Sequence, residues 1–571
     1  MSTRRGATRV LLTAVLTAVL AGCTTVPTSS PAVEITQVAD PPDDVGIEAL
    51  PPETGAAPEE VVRGFVDAMA STTRNHPVAR QFLTTAAADS WSDSDRVTVI
   101  SADYAPVATD ESTVEVTAAL VGTVDVQGVF TVGDGEVYTR SLHLVQEEGE
   151  WRITDPPDGL VLLQPDFTRT YDQVDAFFLD PTGTRVVPDP RFLVSGDAQP
   201  TALVDRLLAG PSTPVAAGVT NPLAGAELRR NVSVEGQVAT VDLTRLAPDP
   251  STLAAVSAQL VWSMAQLDGR SVRLLVDGQP VAVPGVPVEQ GIDDWRALDP
   301  DAVPLDSTAH YLVDGGVRTA TGDPVPGPAG TAAYDLRSAA VTADPRTGAL
   351  GSLAGVSGAG GRATLLVGAY GGELVPLLAA GTLTPPTSAA TRSEVWTVRD
   401  GAEVIRVPAS GAPQTVSATT LAGQGTALQF QLSPDGVRAA VVVSGPDGGE
   451  LLVGTVVRDD EQVAVRDLRV VAPALSEVVD VAWRNAGDLL VLAGDAGEER
   501  TVPYTVGVDG WGLIAVTTAG LPSQPTAVAA APSRLSVVAA GGTLWQLTAG
   551  TWNTLVRGAG PLPGTEPFYP L

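Results

Sequence analysis

The chain has one cysteine in 571 residues and no lysine at all, so every one of its 34 basic side chains is arginine. A single cysteine excludes a disulfide framework, and stability has to come from burial. Histidine is almost as scarce. His76, His143 and His310 lie far apart in sequence and none has the spacing of a metal-ligand pair, so no zinc or copper site is expected. Basic charge is also short. Against 66 acidic residues it leaves a net charge of −32, which repels nucleic acid and anionic lipid alike and argues against DNA or RNA as partners. Nucleophile and phosphate motifs are missing too. Gly355-Val356-Ser357-Gly358 has its second glycine one place too early for a nucleophile elbow. No glycine-rich phosphate loop lies between a strand and a helix, so no cofactor is expected.

The one long apolar run, Val10 to Leu20, falls short of the ~20 residues of a membrane span. It follows Arg4, Arg5 and Arg9 and ends in Leu20-Ala21-Gly22-Cys23. A basic start, a short apolar stretch and small residues at the exit describe an export signal. A cysteine directly after Ala-Gly is the pattern of a bacterial lipobox. Cleavage between Gly22 and Cys23 is therefore expected, with S-diacylglycerol and an N-acyl chain on Cys23. Two or three acyl chains, at roughly 0.8 kcal/mol per buried CH₂, hold a protein to a membrane without a basic patch. The expected location is the extracytoplasmic face of the cell membrane.

Five stretches follow from the pattern: a signal peptide over 1–22, an acylated Pro/Ser/Thr-rich tether over 23–55, α+β domains over 56–165 and 170–298, and an all-β propeller over 304–571. In the first domain Pro58-Glu59-Glu60 opens a helix, and Val61, Phe65 and Met69 give it one apolar face. A second helix is expected over 77–87. Alternating segments 96–102, 112–121, 124–132 and 137–145 follow, then Trp151-Arg152-Ile153. A helix or two on a curved antiparallel sheet is the cone of nuclear-transport-factor-2-like domains. The second domain reads as a strand over 176–179, a helix over 200–208 stopped by Gly210-Pro211, and strands over 228–234 and 238–243. A helix from Ser251 to Leu267 with Ser251 as N-cap and a strand over 272–276 complete it.

Beyond Pro304 the texture is short strands and glycine-rich turns. Ala343-Asp344-Pro345, Thr391-Arg392-Ser393, Ser433-Pro434-Asp435-Gly436, Arg484-Asn485-Ala486-Gly487 and Ala531-Pro532-Ser533 each precede an apolar strand. Their recurrence every ~40–50 residues is the period of propeller blades and implies five to seven of them. No hydrolase domain is expected after the last strand. Asp293-Asp294-Trp295 is a candidate cation or sugar site or a solvated interdomain linker, and Asp459-Asp460-Glu461 reads as a hairpin tip. Acidic pairs for glycoside chemistry are not singled out by any spacing.

The order of parts resembles the LpqB lipoproteins of actinobacteria over nearly the whole chain. The resemblance rests on Leu20-Ala21-Gly22-Cys23 followed by Val26-Pro27-Thr28-Ser29-Ser30, on Glu60-Val61-Val62-Arg63-Gly64-Phe65, and on Ala79-Arg80-Gln81-Phe82-Leu83-Thr84. In the middle, Val187-Pro188-Asp189-Pro190-Arg191, Leu207-Leu208-Ala209-Gly210-Pro211-Ser212, Val241-Asp242-Leu243 and Val276-Asp277-Gly278 are similar to the GerMN domain of spore germination proteins. What the resemblance implies is association with the extracellular part of an MtrB-type sensor histidine kinase, modulation of two-component signalling, and a role in envelope homeostasis and division. It brings no catalytic residue; Cys23 alone carries over, as the lipidated N-terminus. Two other readings stand beside it. One is a peptidoglycan or wall-polymer binder, whose mark would be exposed aromatics on one face, with Trp396, Trp483, Trp511, Trp545 and Trp552 as candidates against inter-blade packing. The other is an enzyme built on the propeller, which the missing histidines and metal motifs disfavour.

Overall fold

The computed structural model describes residues 49–571 apart from 248, 268, 270, 302–306, 359–360, 390–391, 410, 446–447, 460–461, 496–497 and 557–559. Gly22, Cys23 and nearly all of the 23–55 stretch lie outside the described residues, as do Pro304, Thr391, Asp460 and Glu461.

The N-terminal domain opens with helix α1, Pro58–Met69. Pro58 sits at its first turn, and the Glu60 carboxylate accepts from the Ala57 N–H at 2.8 Å. Its buried face is Val61, Val62, Phe65, Val66 and Met69, as the four-residue spacing predicts. Gly64 lets it sit tightly, because a Cβ there would lie 2.6 Å from the Phe82 ring. The single helix expected over 77–87 is two pieces, a 3₁₀ turn Ala79–Phe82 and helix α2, Thr85–Ser90. The break has a cause. Thr84 is extended, donates its N–H to the Ile153 carbonyl at 2.9 Å and caps α2 by accepting from Ala87 N–H.

The sheet beneath runs in the order Glu150–Ile153, Val137–Glu147, Thr113–Val124, Val97–Ile100, Leu160–Leu163. The strand expected over 124–132 is instead a hairpin turn. Asp125 accepts from Gln127 N–H (2.8 Å) and Val129 N–H (2.9 Å), which ends one strand at Val124 and starts the next, Phe130–Val132, after the loop. Leu160–Leu163 runs parallel to Val97–Ile100 and leads into α3, Gln164–Thr170.

The middle domain begins with the hairpin Tyr171–Leu179 and Val186–Val194. Helices α4, Gln199–Ala209, and α5, Thr213–Ala216, follow. Gly210, at φ 101°, ends α4 where the sequence places its stop. Strand Val238–Thr244 then crosses through α6, Pro250–Met264, to the parallel strand Ser271–Val276. The N-cap of α6 is Asp249, not Ser251: the Asp249 carboxylate accepts from Thr252 N–H at 2.9 Å, and the Ser251 hydroxyl donates to it. A carboxylate suits a helix N-terminus and leaves Pro250 free to start the first turn. The expected strand 228–234 is split into Glu227–Leu228 and Ser233–Glu235; in the gap Arg229 and Arg230, themselves exposed, pair with the buried Asp242 carboxylate at 3.2 and 3.3 Å.

Among the described residues six sheets fill the C-terminal part. The first joins Gly316–Thr319 and His310–Val313 to Thr565–Phe568, so the end of the chain completes the sheet that begins the series. The second (Leu336–Ala343 to Val375–Ala380), fourth (Thr426–Leu432 to Val463–Val470) and fifth (Ser476–Trp483 to Ile514–Ala515) each have four strands in sequence order. In the third, isolated bridges Leu383↔Arg399 and Thr387↔Trp396 lay an innermost segment against Glu394–Arg399. The sixth starts at Pro525–Ala529 and carries an extra strand, Leu562–Pro563. Residues of all six innermost segments line one cavity of about 80 Å³, among them Ser338, Thr387, Gln429, Asp480, Val528 and Glu566. That convergence makes the six sheets a ring.

The recurring turns join the innermost strand of a sheet to the next strand out. In three of them the chemistry is the same: Asp344 accepts from Arg346 and Thr347 N–H, Asp435 from Val437 N–H, and Asn485 from Gly487 and Asp488 N–H. A short acceptor side chain folding back on its own backbone is why one turn sequence recurs. Between sheets the packing is apolar, as where Trp396 of the third stacks on Phe430 of the fourth at 6.0 Å. Both are fully buried. Phe430→Ala is therefore expected to cost about 3–5 kcal/mol, read as a lower midpoint of the propeller transition in denaturant, with Leu428→Ala, at an exposed site of the same strand, changing it little.

Candidate interaction sites

Trp511 is where the three domains meet. It lies in the loop between Glu498–Gly507 and Ile514–Ala515 of the fifth sheet, held by Asp509 accepting from its N–H at 3.0 Å. Its indole meets Phe130 of the N-terminal sheet at 5.1 Å, Phe167 of α3 at 5.3 Å and Phe192 of the middle hairpin at 5.1 Å, all edge-on. Edge-to-face contacts of this kind add about 0.5–1.5 kcal/mol each beyond burial. Close backbone approaches surround the cluster. Phe192 N–H donates to Gly128 O at 2.8 Å, and a Cβ on Gly510 would lie 2.9 Å from the Val132 Cβ.

The polar half of the same seam uses the words that recur in the middle domain. Asp189 pairs with the fully buried Arg191 at 2.7 Å and also accepts from the Ser212 N–H and hydroxyl, both at 2.7 Å. Those bonds fix the hairpin to the start of α5, and the assembled surface then receives the ring. Arg438, just after the fourth sheet's turn, donates to Pro188 O; Thr455 donates to Pro214 O; and Gly218 packs where a Cβ would be 2.5 Å from the Thr455 methyl. At the fifth sheet's turn, Ala486 N–H donates to Asp301 at 2.7 Å. The repeated turns are thus docking points for the middle domain. A buried ion pair such as Asp189–Arg191 adds little net stability, but losing one partner would strand the other.

The residues singled out from sequence are not brought together. His76 shares a 2.7 Å hydrogen bond with Asp93, His143 one of 2.8 Å with Asp155, and His310 contacts Thr308 O (2.9 Å) and Tyr370 Oη (3.1 Å). Among the described residues no group of three His, Cys, Asp or Glu side chains is placed to hold a metal. Asp293-Asp294-Trp295 is structural. Asp294 accepts from Gly291 N–H, Asp293 pairs with Arg296, and Trp295 is buried with its indole N–H on Gln290. Of the five tryptophans, Trp396, Trp483 and Trp552 are buried, Trp511 sits in the seam, and the Trp545 N–H bonds Thr543. They form no exposed aromatic face; the burial of three of them agrees with the inter-blade packing set against that reading.

The ring's central cavity holds acids the sequence did not flag. Asp480 accepts from Val481 N–H and, across to the sixth sheet, from Val528 N–H, both at 2.9 Å. Burial pushes its carboxyl up to about 7 against those two bonds, and burial also raises Glu566 beside it. At the seam burial pushes Asp509 up to about 6. Among the described residues no helix is long and apolar enough to cross a membrane.

An α+β domain and a second α+β domain docked on a ring of sheets define a multidomain propeller protein whose conspicuous polar groups hold its parts together. Family models match three successive stretches: "Lipoprotein LpqB, N-terminal domain" over 51–168, "Sporulation and spore germination" over 175–282, and "Lipoprotein LpqB beta-propeller domain" over 312–570. Lipoprotein LpqB of Mycobacterium bovis (strain BCG / Pasteur 1173P2) is 33% identical over 564 residues, covering 93% of each chain. Those of Mycolicibacterium smegmatis (32%, 87% of each) and Nocardia farcinica (30%, 95% of this chain and 94% of the relative) are similar over the same span. The chain belongs to the LpqB lipoprotein family.

Two outcomes follow. Trp511→Ala is expected to loosen the seam, so that limited proteolysis cuts within 164–171 faster while circular dichroism stays unchanged. The raised carboxyls of Asp480 and Asp509 bind protons more tightly folded than unfolded, where carboxyls titrate near 3.8. Each therefore subtracts stability as pH climbs from about 4 to about 7. Scanning calorimetry is expected to give a higher Tm at pH 5 than at pH 8; the reverse order would mean other groups dominate.

Proposed function

We propose that this protein is a non-enzymatic docking lipoprotein, held by its acylated Cys23 to the extracytoplasmic face of the cell membrane. Its 56–165, 170–298 and 304–571 parts would then act as one body beside a membrane receptor. The observation that carries this reading is where the reactive-looking groups go. Asp189, Arg191, Asp480, Asp509 and the three histidines are each engaged in holding a turn, a strand or a neighbouring domain. The resemblance of the whole chain to its family supplies the partner: the extracellular domain of an MtrB-type sensor histidine kinase.

The mechanism needs only tethering and unequal binding. An acyl anchor confines the protein to a thin layer and raises its effective concentration at a membrane-bound receptor. It shifts the kinase between two states by as much as its affinities for them differ. A wall-polymer binder, the second reading, is weakened by the burial of Trp396, Trp483 and Trp552.

Cys23→Ser is expected to move the protein from the membrane to the soluble extracellular fraction with its fold intact, seen by fractionation and by loss of metabolic acyl label. Calorimetric titration of the kinase ectodomain into the detergent-solubilised chain is expected to saturate. No heat with the ectodomain, together with retention on purified cell wall, would replace the kinase reading with the polymer reading.

A further inference from the structure

The turns of the fourth and fifth sheets dock on the middle domain, but those of the second and third do not close against it. Between them a wedge of about 1130 Å³ stays open. One wall is the second sheet's turn around Asp344–Leu350 together with Ala389, Arg392 and Ser393 of the third sheet; the other is the Thr184–Arg185 loop and the 3₁₀ helix Ile292–Leu298.

Four guanidinium groups line it, Arg185, Arg296, Arg346 and Arg392, against the carboxylates of Asp299 and Asp344. In a chain of net charge −32 this is a reversal of sign. The two acids are already engaged by backbone: Asp344 accepts from Arg346 and Thr347 N–H at 2.9 Å, and Asp299 from Asp301 N–H at 2.9 Å. Arg185 is 7% exposed and locked by donating to Ala297 O (3.1 Å) and Asp299 O (3.0 Å). Arg296 pairs with Asp293 outside the wedge. Among the described residues neither Arg346 nor Arg392 forms a salt bridge within 4.0 Å; the Asp344 carboxyl is held down first by the Thr347 and Arg346 N–H groups and then by the nearby Arg346 charge. Ile292, Pro345 and Leu350 add apolar surface to the same lining.

We infer that this wedge is the docking groove for an extended acidic peptide segment of a partner protein, one whose side chains alternate carboxylate and apolar. Guanidinium forks bind carboxylates bidentately, and an extended strand presents its two kinds of side chain on opposite faces. A uniformly charged phosphate polymer would leave the apolar wall uncovered. The repulsion of the surrounding acidic surface adds selectivity, since an acidic segment is favoured at this wedge and disfavoured around it. The inference rests on the reading of the chain as a docking protein and assigns that activity a surface.

The test uses the full-length chain in detergent micelles and a short fluorescein-labelled peptide in which glutamate and leucine alternate, followed by anisotropy at low salt. Saturable binding is expected, weakened about tenfold or more in Arg346→Glu/Arg392→Glu and unchanged in Arg362→Glu, an exposed arginine away from the wedge. A matching peptide with lysine for glutamate is expected not to bind. Unaltered melting of the double variant shows that folding is not the cause. No saturable binding, equal affinity in the double variant, or capture of inorganic polyphosphate in place of the peptide would overturn the assignment. The kinase titration separates the two claims. Peptide binding with a silent ectodomain rejects the kinase and keeps the groove, and the converse rejects the groove alone.

Discussion

The junction of the three domains depends on one side chain being delivered to one place. Trp511 is carried by a loop of the fifth propeller sheet, yet its ring is covered by Phe130, Phe167 and Phe192 from the two preceding domains. Interfaces between domains of one chain are usually polar enough to let the domains move. Here an aromatic cluster sits beside a second set of bonds, in which Arg438 reaches Pro188 and Thr455 reaches Pro214. Apolar burial supplies the attraction, and the directional bonds fix the register. The three domains are thereby held as one body.

This constraint explains why chemistry-bearing residues are sparse without being idle. An acidic chain that places carboxylates inside must satisfy them or raise their affinity for protons. Asp189 takes the first route through Arg191 and Ser212. Asp480 and Asp509 take both, accepting backbone N–H groups while burial raises their carboxyls. What is left over is a wedge lined by four arginines and two aspartates, Asp299 and Asp344.

Local chemistry was legible in the sequence, and long-range chemistry was not. Helix α1 shows itself through the spacing of Val61, Phe65 and Met69, and the propeller turns through side chains that bond their own backbone. Leu160–Leu163 escaped because a parallel strand buried on both faces carries no alternation. Val186–Val194 escaped because Pro188 and Pro190 argue against a strand; as half of a two-stranded hairpin it tolerates them. The helix over 77–87 failed at Thr84, whose partner Ile153 lies far along the chain. The seam and the wedge could not be read at all, since Phe130 and Trp511, or Arg185 and Arg392, are neighbours only after folding. The tryptophans could be read either as a binding face or as inter-blade packing, and three of the five are core.

If the three domains form one rigid body, the distance between two of them is fixed in solution. The lone cysteine makes that distance simple to measure. In a Cys23→Ser background, spin labels at Gln146→Cys on the N-terminal domain and Asn553→Cys on the sixth propeller sheet, both exposed, would be read by pulsed dipolar spectroscopy. A rigid body gives a single narrow distance distribution. A broad distribution would mean that the domains move independently and that the Trp511 seam does not hold them together.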